Sequence, residues 1–211
     1  MSRSPAPEAP GERREELLAA GLRLFSDRPY DELAIDDIAA EAGVAKGLLY
    51  YYFGSKRGFY VAIVQAAARE LGERLDPDHS LPPAERLRRA LDAYLVYVEE
   101  HSAGYRTLLA GGLGSDPEVR AIRDGQRAFV MRLILDGIGQ PSDPAPALRA
   151  ALEGWLSFVE GVSLDWLLRR DLERDEVRGL LIAALGGALG AALTADPSLD
   201  VDPGVVGPAQ A

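Results

Sequence analysis

No cysteine occurs among the 211 residues. Its absence excludes disulfides, iron–sulfur clusters, thiolate zinc sites and cysteine nucleophiles together. Histidine is nearly absent too: only His79 and His101 occur, too few for a histidine-rich metal site and little from which to build a Ser-His-Asp triad. No nucleophile–base or carboxylate pair stands out at catalytic spacing, so neither an enzyme nor a bound metal or cofactor is expected. No stretch alternates β-branched residues with period two, which leaves an all-α chain. Residues Met1–Pro10 lack an apolar segment, so no secretory signal is expected. The longest apolar run, Gly179–Leu193, is short and rich in small residues for a bilayer span. It also lacks the basic flanks of a membrane-surface helix. The expectation is a soluble, cytoplasmic protein with no membrane partner.

What is present is mostly acid. Asp and Glu number 33 against 23 Lys and Arg, a net charge of −10, and such a chain as a whole repels a phosphate backbone. That average hides a local exception. Between Ala42 and Arg69 there is no carboxylate, where the overall acidic density would place about four. Lys46, Lys56, Arg57 and Arg69 all lie inside this window, including both lysines of the chain.

Proline and glycine punctuate a sequence that otherwise reads with helical period. Residues 1–11, with Pro5, Pro7 and Pro10, and residues 195–211, with Pro197, Pro203 and Pro208, read as disordered tails. A first helix is predicted over about Glu12–Ser26, with Leu17, Leu18, Gly21, Leu24 and Phe25 on one face. Two short helices follow, Ile35–Ala42 and Ala45–Tyr52, separated by Gly43 as a left-handed cap. Ser55 is the expected N-cap of a long fourth helix ending before Pro77. Further helices are predicted over Pro83–Glu100, Ala103–Gly111, Pro117–Ile138 (after Asp116 as N-cap), Pro146–Arg170 and Glu173–Leu193. The boundary between an N-terminal three-helix domain (12–72) and a C-terminal helical bundle (73–194) is placed along the fourth helix.

Two short helices about a glycine turn, inside a small helical domain, form a helix-turn-helix arrangement. At 100° per residue, Ala45, Leu49, Tyr52 and Phe53 fall on one side of the third helix. Gly47, Tyr50 and Tyr51 fall on the other, with Lys46 at the flank. Glycine lets a backbone approach base edges, while tyrosine rings meet thymine methyls and their hydroxyls reach phosphates. Ser55, Lys56 and Arg57 open the next helix with free N–H groups and two cations, a phosphate clamp. The competing reading makes Tyr50–Phe53 core aromatics joining three helices, as expected for Phe53 and part of Tyr52.

The stretch from Ile38 to Arg57, with Ile38-Ala39, Ala42-Gly43-Val44, Leu49-Tyr50, Tyr52-Phe53 and Ser55-Lys56 in sequence, resembles the helix-turn-helix signature of the TetR/AcrR family of transcriptional regulators. The resemblance covers roughly Arg13–Gln65. It implies a homodimer that binds a palindromic operator in double-stranded DNA, most often as a repressor, and releases it when a small-molecule effector enters the C-terminal domain. It places Lys46, Gly47 and Tyr50 at base-contacting positions, and Tyr51, Tyr52 and Lys56 at positions that grip phosphates. Ala34 departs from a usual capping threonine, and Leu48 from a usual Thr, Ser or Asn.

The C-terminal bundle is less legible. Its Trp155 helix carries two apolar stripes, Trp155/Phe158/Val162/Trp166 and Leu152/Leu156/Val159/Leu167, so burial on both sides is expected. In the last helix, Ala183, Gly186, Gly187 and Gly190 form a small-residue face suited to close helix packing. The family resemblance makes these two helices the dimer interface, with Leu152 and Leu156 contributing. Candidate effector contacts are Tyr94, Tyr97, His101, Tyr105, Phe129, Met131, Trp155, Phe158 and Trp166. Against each stands the plain reading as a core aromatic. Glu99, Glu100, Glu153 and Glu160 would select a cationic ligand if they pointed inward. Gly111-Gly-Leu-Gly114 follows no strand and reads as a hinge rather than a phosphate loop. The alternative function is a small-molecule-binding all-α protein without regulated DNA binding.

Overall fold

The computed structural model describes residues 10–28, 32–75, 78–110 and 116–201. Most of the described residues are helical, and none of them is in a strand. In order they form α1 (Pro10–Asp27), α2 (Ile35–Glu41), α3 (Lys46–Phe53), α4 (Lys56–Arg74), α5 (Pro83–Glu100), α6 (Ser102–Ala110), α7 (Pro117–Gly137), α8 (Pro146–Arg169) and α9 (Arg174–Ala195). Local rules set most of the ends. The Ser55 hydroxyl accepts the Gly58 N–H at 2.9 Å to open α4, and an Asp116 carboxylate oxygen accepts the Glu118 N–H at 2.9 Å to open α7.

The chain divides into two compact units, the first holding residues up to Arg69 together with His101–Arg120, the second Glu70–Glu100 and Ala121 onward. Segment His101–Arg120, read from sequence as part of the C-terminal domain, therefore joins the first unit. The cause is the packing of α6 on α1: a Cβ at Gly104 would lie 3.1 Å from the Phe25 carbonyl oxygen. A helical pattern reports which face is apolar but not which helix covers it.

The core of the first unit is built from Leu17, Leu18, Phe25, Ile35, Ile38, Leu49, Phe59 and Ile63, all buried. Helices α1 and α4 meet at Gly21, where a Cβ would sit 2.5 Å from Ile63 Cδ1 and 2.7 Å from Phe59 Cζ. Gly21→Leu is accordingly expected to overpack this contact and cost roughly 1–3 kcal/mol, seen as a lower urea midpoint with an unchanged slope. A midpoint at or above that of the wild type would show that the helices are not seated this closely.

In the second unit, Leu91, Leu95, Leu135, Leu148, Leu152, Trp155, Leu156, Val159, Trp166, Val177, Leu181, Leu185 and Leu189 share one core. The two indoles are tied to the backbone: Trp155 Nε1 donates to Leu181 O at 2.9 Å and Trp166 Nε1 to Leu172 O at 2.8 Å.

Both expected tails are shorter in the structure. Pro10 and Gly11 already belong to α1, a proline at the first helical position being favourable. At the other end α9 reaches Ala195, Leu199 and Val201 pack on the second core, and Gln140 Nε2 donates to Asp200 O at 2.7 Å. The rest of both tails, and Gly111–Gly114, lie outside the described residues. Helix α9 is also longer than the apolar run suggested: its 22 residues are long and apolar enough to cross a membrane by length and composition. One stripe of it, Val177, Leu181, Leu185 and Leu189, is fully buried in the protein's own core.

Candidate nucleic-acid interface and the α8–α9 face

Helix α2 buries Ile35, Ile38 and Ala39 and stops at a glycine turn. Gly43 has φ +63°, and its neighbour Val44 donates to Ala39 O at 2.9 Å. A side chain at Gly43 would be strained in that left-handed conformation. Ala34 offers α2 no side-chain cap; only the reciprocal bond exists, the Ala34 N–H donating to the Asp37 carboxylate at 3.0 Å.

Helix α3 is held by Leu49, its single buried residue. Gly47 is open, with no atom within 4 Å of a notional Cβ, and Lys46 is exposed. Tyr50 and Tyr51 project outward at 45% and 80% exposure. Tyr52 is half-buried with its ring edge-on to Tyr51 at 5.1 Å, and Phe53 packs T-shaped on Phe59 at 4.8 Å. The outward set is thus Gly47, Tyr50 and Tyr51 with Lys46, as the helical period predicts. Ala45 differs. The helical period puts it on the Leu49 side, yet it is exposed, because it is the extended N-cap (φ −69°, ψ 138°) and the 100° step does not reach it. Ser55 is exposed and Lys56 half-buried at the start of α4.

The acid-free window is not acid-free in space. Lys46 Nζ donates to Asp36 Oδ2 at 2.9 Å. Arg57 makes two hydrogen bonds to Asp116, at 2.6 and 2.8 Å, and lies 3.4 Å from Glu118. Arg69 reaches Glu15 at 3.3 Å. The hydrogen bond it donates to Asp36 raises the Lys46 pKa, those donated to Asp116 raise the Arg57 pKa, and Arg57 in turn holds the Asp116 carboxyl below its ordinary value. Sequence reasoning missed Asp36, Asp116 and Glu118 as partners of these cations, finding Asp116 only as a helix cap, since a local charge count stops at the window's edge.

A second surface lies on α8 and α9. Phe158, Leu168, Leu172 and Leu180 are exposed. Gly154, Gly161, Gly179 and Gly187 present open backbone. Phe158, Gly161, Val162, Asp165, Trp166, Leu172 and Leu180 line a groove of about 360 Å³. Of the expected interface residues, Ala183 and Gly187 are exposed and Gly186 and Gly190 half-buried. Leu152 and Leu156 are not on this face: they are 0% and 6% exposed within the protomer's own core. Period alone finds two apolar stripes on α8; the chain covers the Leu152 stripe and leaves Phe158 out.

The effector candidates divide between the two units. Met131, Trp155 and Trp166 are core residues, and Tyr94 and Phe129 are half-buried, all in the second unit. Tyr97 is buried there beneath the Arg74 guanidinium, 5.1 Å from its ring, and burial pushes its hydroxyl pKa up. Phe158 sits in the exposed groove, and Trp166, though buried, also lines it. His101 and Tyr105 belong to the first unit. The four glutamates are occupied by arginines: Glu99 pairs with Arg170 at 2.8 Å and also with Arg174, Glu100 with Arg74 at 2.6 Å, and Arg127 with both Glu153 and Glu160 at 2.8 Å. They do not form a cation-selecting wall. Unforeseen was the Tyr94–Ser163 hydroxyl contact, 3.0 Å, with Ser163 fully buried. A lone hydroxyl within the apolar pattern of α8 was its only signal.

Fold and site together define a helix-turn-helix protein with a separate helical unit. Residues 17–63 match the family model for bacterial regulatory proteins of the tetR family, and residues 83–185 match that for the tetracyclin repressor-like C-terminal domain. A solved tetR-family transcriptional regulator from Streptomyces coelicolor superposes with a TM-score of 0.84 at 30% identity, covering 90% of this chain and 86% of that one. An HTH-type transcriptional regulator of Mycobacterium bovis is 31% identical over 172 residues, 79% of each chain. The HTH-type transcriptional activator FasR of Mycolicibacterium smegmatis is 37% identical over 112 residues, 52% of this chain and 51% of the relative, so the chain spans about half of that protein's length. The chain belongs to the tetR family of bacterial regulatory proteins.

Proposed function

We propose that the protein is a ligand-responsive transcriptional regulator: a repressor that binds a palindromic DNA operator as a homodimer and leaves it when a small-molecule effector enters the second unit. The observation that carries this reading is the outward pair Tyr50 and Tyr51, beside the bare backbone of Gly47, on a short helix seated by one leucine. Lys46, Gly47 and Tyr50 meet base edges in the major groove, while Tyr51, Tyr52, Ser55 and Lys56 meet phosphates. The face of Ala183, Gly187, Phe158 and Leu180 joins the second copy, which sets two recognition helices roughly 34–36 Å apart, one turn of B-DNA. Helix α4 is uninterrupted from Lys56 to Arg74 and has residues in both units. A tilt of it on effector binding changes the spacing of the two readers and disfavours simultaneous binding of both half-sites.

The test is fluorescence anisotropy on DNA tiles from upstream of the protein's own gene, followed by selection from random duplexes if no tile binds. Tyr50→Ala is expected to weaken binding by about 1–3 kcal/mol and relax sequence preference, and Lys56→Ala to weaken all sequences alike with a salt slope shallower by about one. No enrichment from random DNA would overturn the reading in favour of a small-molecule-binding protein. A reporter behind the selected operator gives the sign of regulation, repression being the expected one.

A further inference from the structure

We propose that Asp36 and Asp116 are positioning residues that hold Lys46 and Arg57 in place of DNA, so that binding to non-specific DNA, where Lys46 has no matching base edge to meet, exchanges a carboxylate for a phosphate at each cation. This rests on the reading of α3 and the start of α4 as the DNA-binding surface. Both cations stand on that surface, Lys46 as the first residue of α3 and Arg57 as the second of α4, each with a side chain 47% exposed. Each is met by an acid from outside the window, 10 residues away for Lys46 and 59 for Arg57. The Arg57 guanidinium spans both oxygens of Asp116, the forked geometry with which arginine also takes a phosphate. Asp116 is the anchored member. Its side chain is only 10% exposed, and it accepts the Glu118 N–H as the α7 cap, so an exchange moves Arg57 and leaves the carboxylate where it is.

The exchange leaves a signature in salt dependence. A free cation that meets a phosphate releases a condensed counterion from DNA. A cation that first abandons a carboxylate leaves an anion that recruits a cation from solution, and the net release is smaller. The wild-type slope of log K against log salt is therefore shallower than the number of phosphates touched.

The experiment compares the full-length wild type with Asp36→Asn, Asp116→Asn and the double variant on a random-sequence duplex of about 30 base pairs, between about 50 and 200 mM KCl. Asparagine keeps the capping oxygen at position 116. Each substitution is expected to steepen the slope by about one and to tighten binding roughly three- to tenfold at about 50 mM, with Arg57→Gln reversing the gain in the Asp116→Asn background. A merely structural role would move the unfolding midpoint and leave the slope alone. Wild-type binding with unchanged or weaker binding in the folded variants overturns the exchange. Absence of binding by the wild type and variants alike at low salt overturns the DNA-binding reading itself. Asp36→Asn, on an exposed side chain with no capping role, carries the test if Asp116→Asn does not fold.

Discussion

Gly187→Arg is expected to leave the protomer folded while removing tight operator binding. Gly187 lies on the exposed side of α9, and a Cβ there meets nothing within 4 Å. Arginine also favours the helix interior over glycine, by up to about 1 kcal/mol, so the midpoint of a dilute sample should hold or rise. In the proposed homodimer the cost falls on assembly. Small residues permit two helix axes to approach within about 8–10 Å, and a guanidinium on that face keeps them apart. Sedimentation should then report a monomer. Each reading head must bind its half-site alone, losing the effective concentration conferred by its partner, worth on the order of 10²- to 10⁴-fold in avidity. Gly187→Ala, which adds one methyl to open space, is the matched control and should remain dimeric. A Gly187→Arg protein that sediments as a dimer with wild-type affinity would place the interface elsewhere.

Phe59→Ala is expected to give the largest loss of stability. The ring is 0% exposed, packs T-shaped on Phe53 at 4.8 Å and closes the Gly21 crossing of α1 and α4. Truncating a buried phenylalanine costs about 3–5 kcal/mol, because the cavity left behind collapses only in part. Against a total of about 5–15 kcal/mol, that is a large share. For a unit of this size it lowers the melting temperature by more than about 10 °C. Calorimetry should show the transition of the first unit moving down and that of the second holding. DNA binding should fail at the temperature where the first unit melts, since Phe53 at the end of α3 has lost its support. A shift below about 1 kcal/mol would mean that the site refills by rearrangement.

Helix α3 is largely legible in the sequence because its signals are local. Gly43 and Gly54 mark the ends of α2 and α3, Leu49 alone must face inward, and the 100° step then turns Gly47, Tyr50 and Tyr51 outward. Where the step ceases to apply, at the N-cap Ala45, the expectation failed. On α8 the period found two apolar stripes, yet only packing decided that Leu152 and Leu156 face the core while Phe158 is left exposed. The effector candidates follow the same rule: residue type and spacing are alike for a core wall and a ligand wall, and only packing shows that Met131 and Trp155 are buried in the second core while Trp166, also buried, lines the groove beside Phe158.

The sequence by itself determined the all-helical class, the order of the helices and most of their ends. Caps, prolines, glycines and the 3.6-residue period act within one or two turns and need no distant partner. Tertiary structure alone decided that α6 joins the first unit, that residues 196–201 return to the second core, and that Lys46 and Arg57 stand against acids. Ion pairing and burial depend on distances between elements, and the acid that Arg57 pairs with, Asp116, is 59 residues away along the chain.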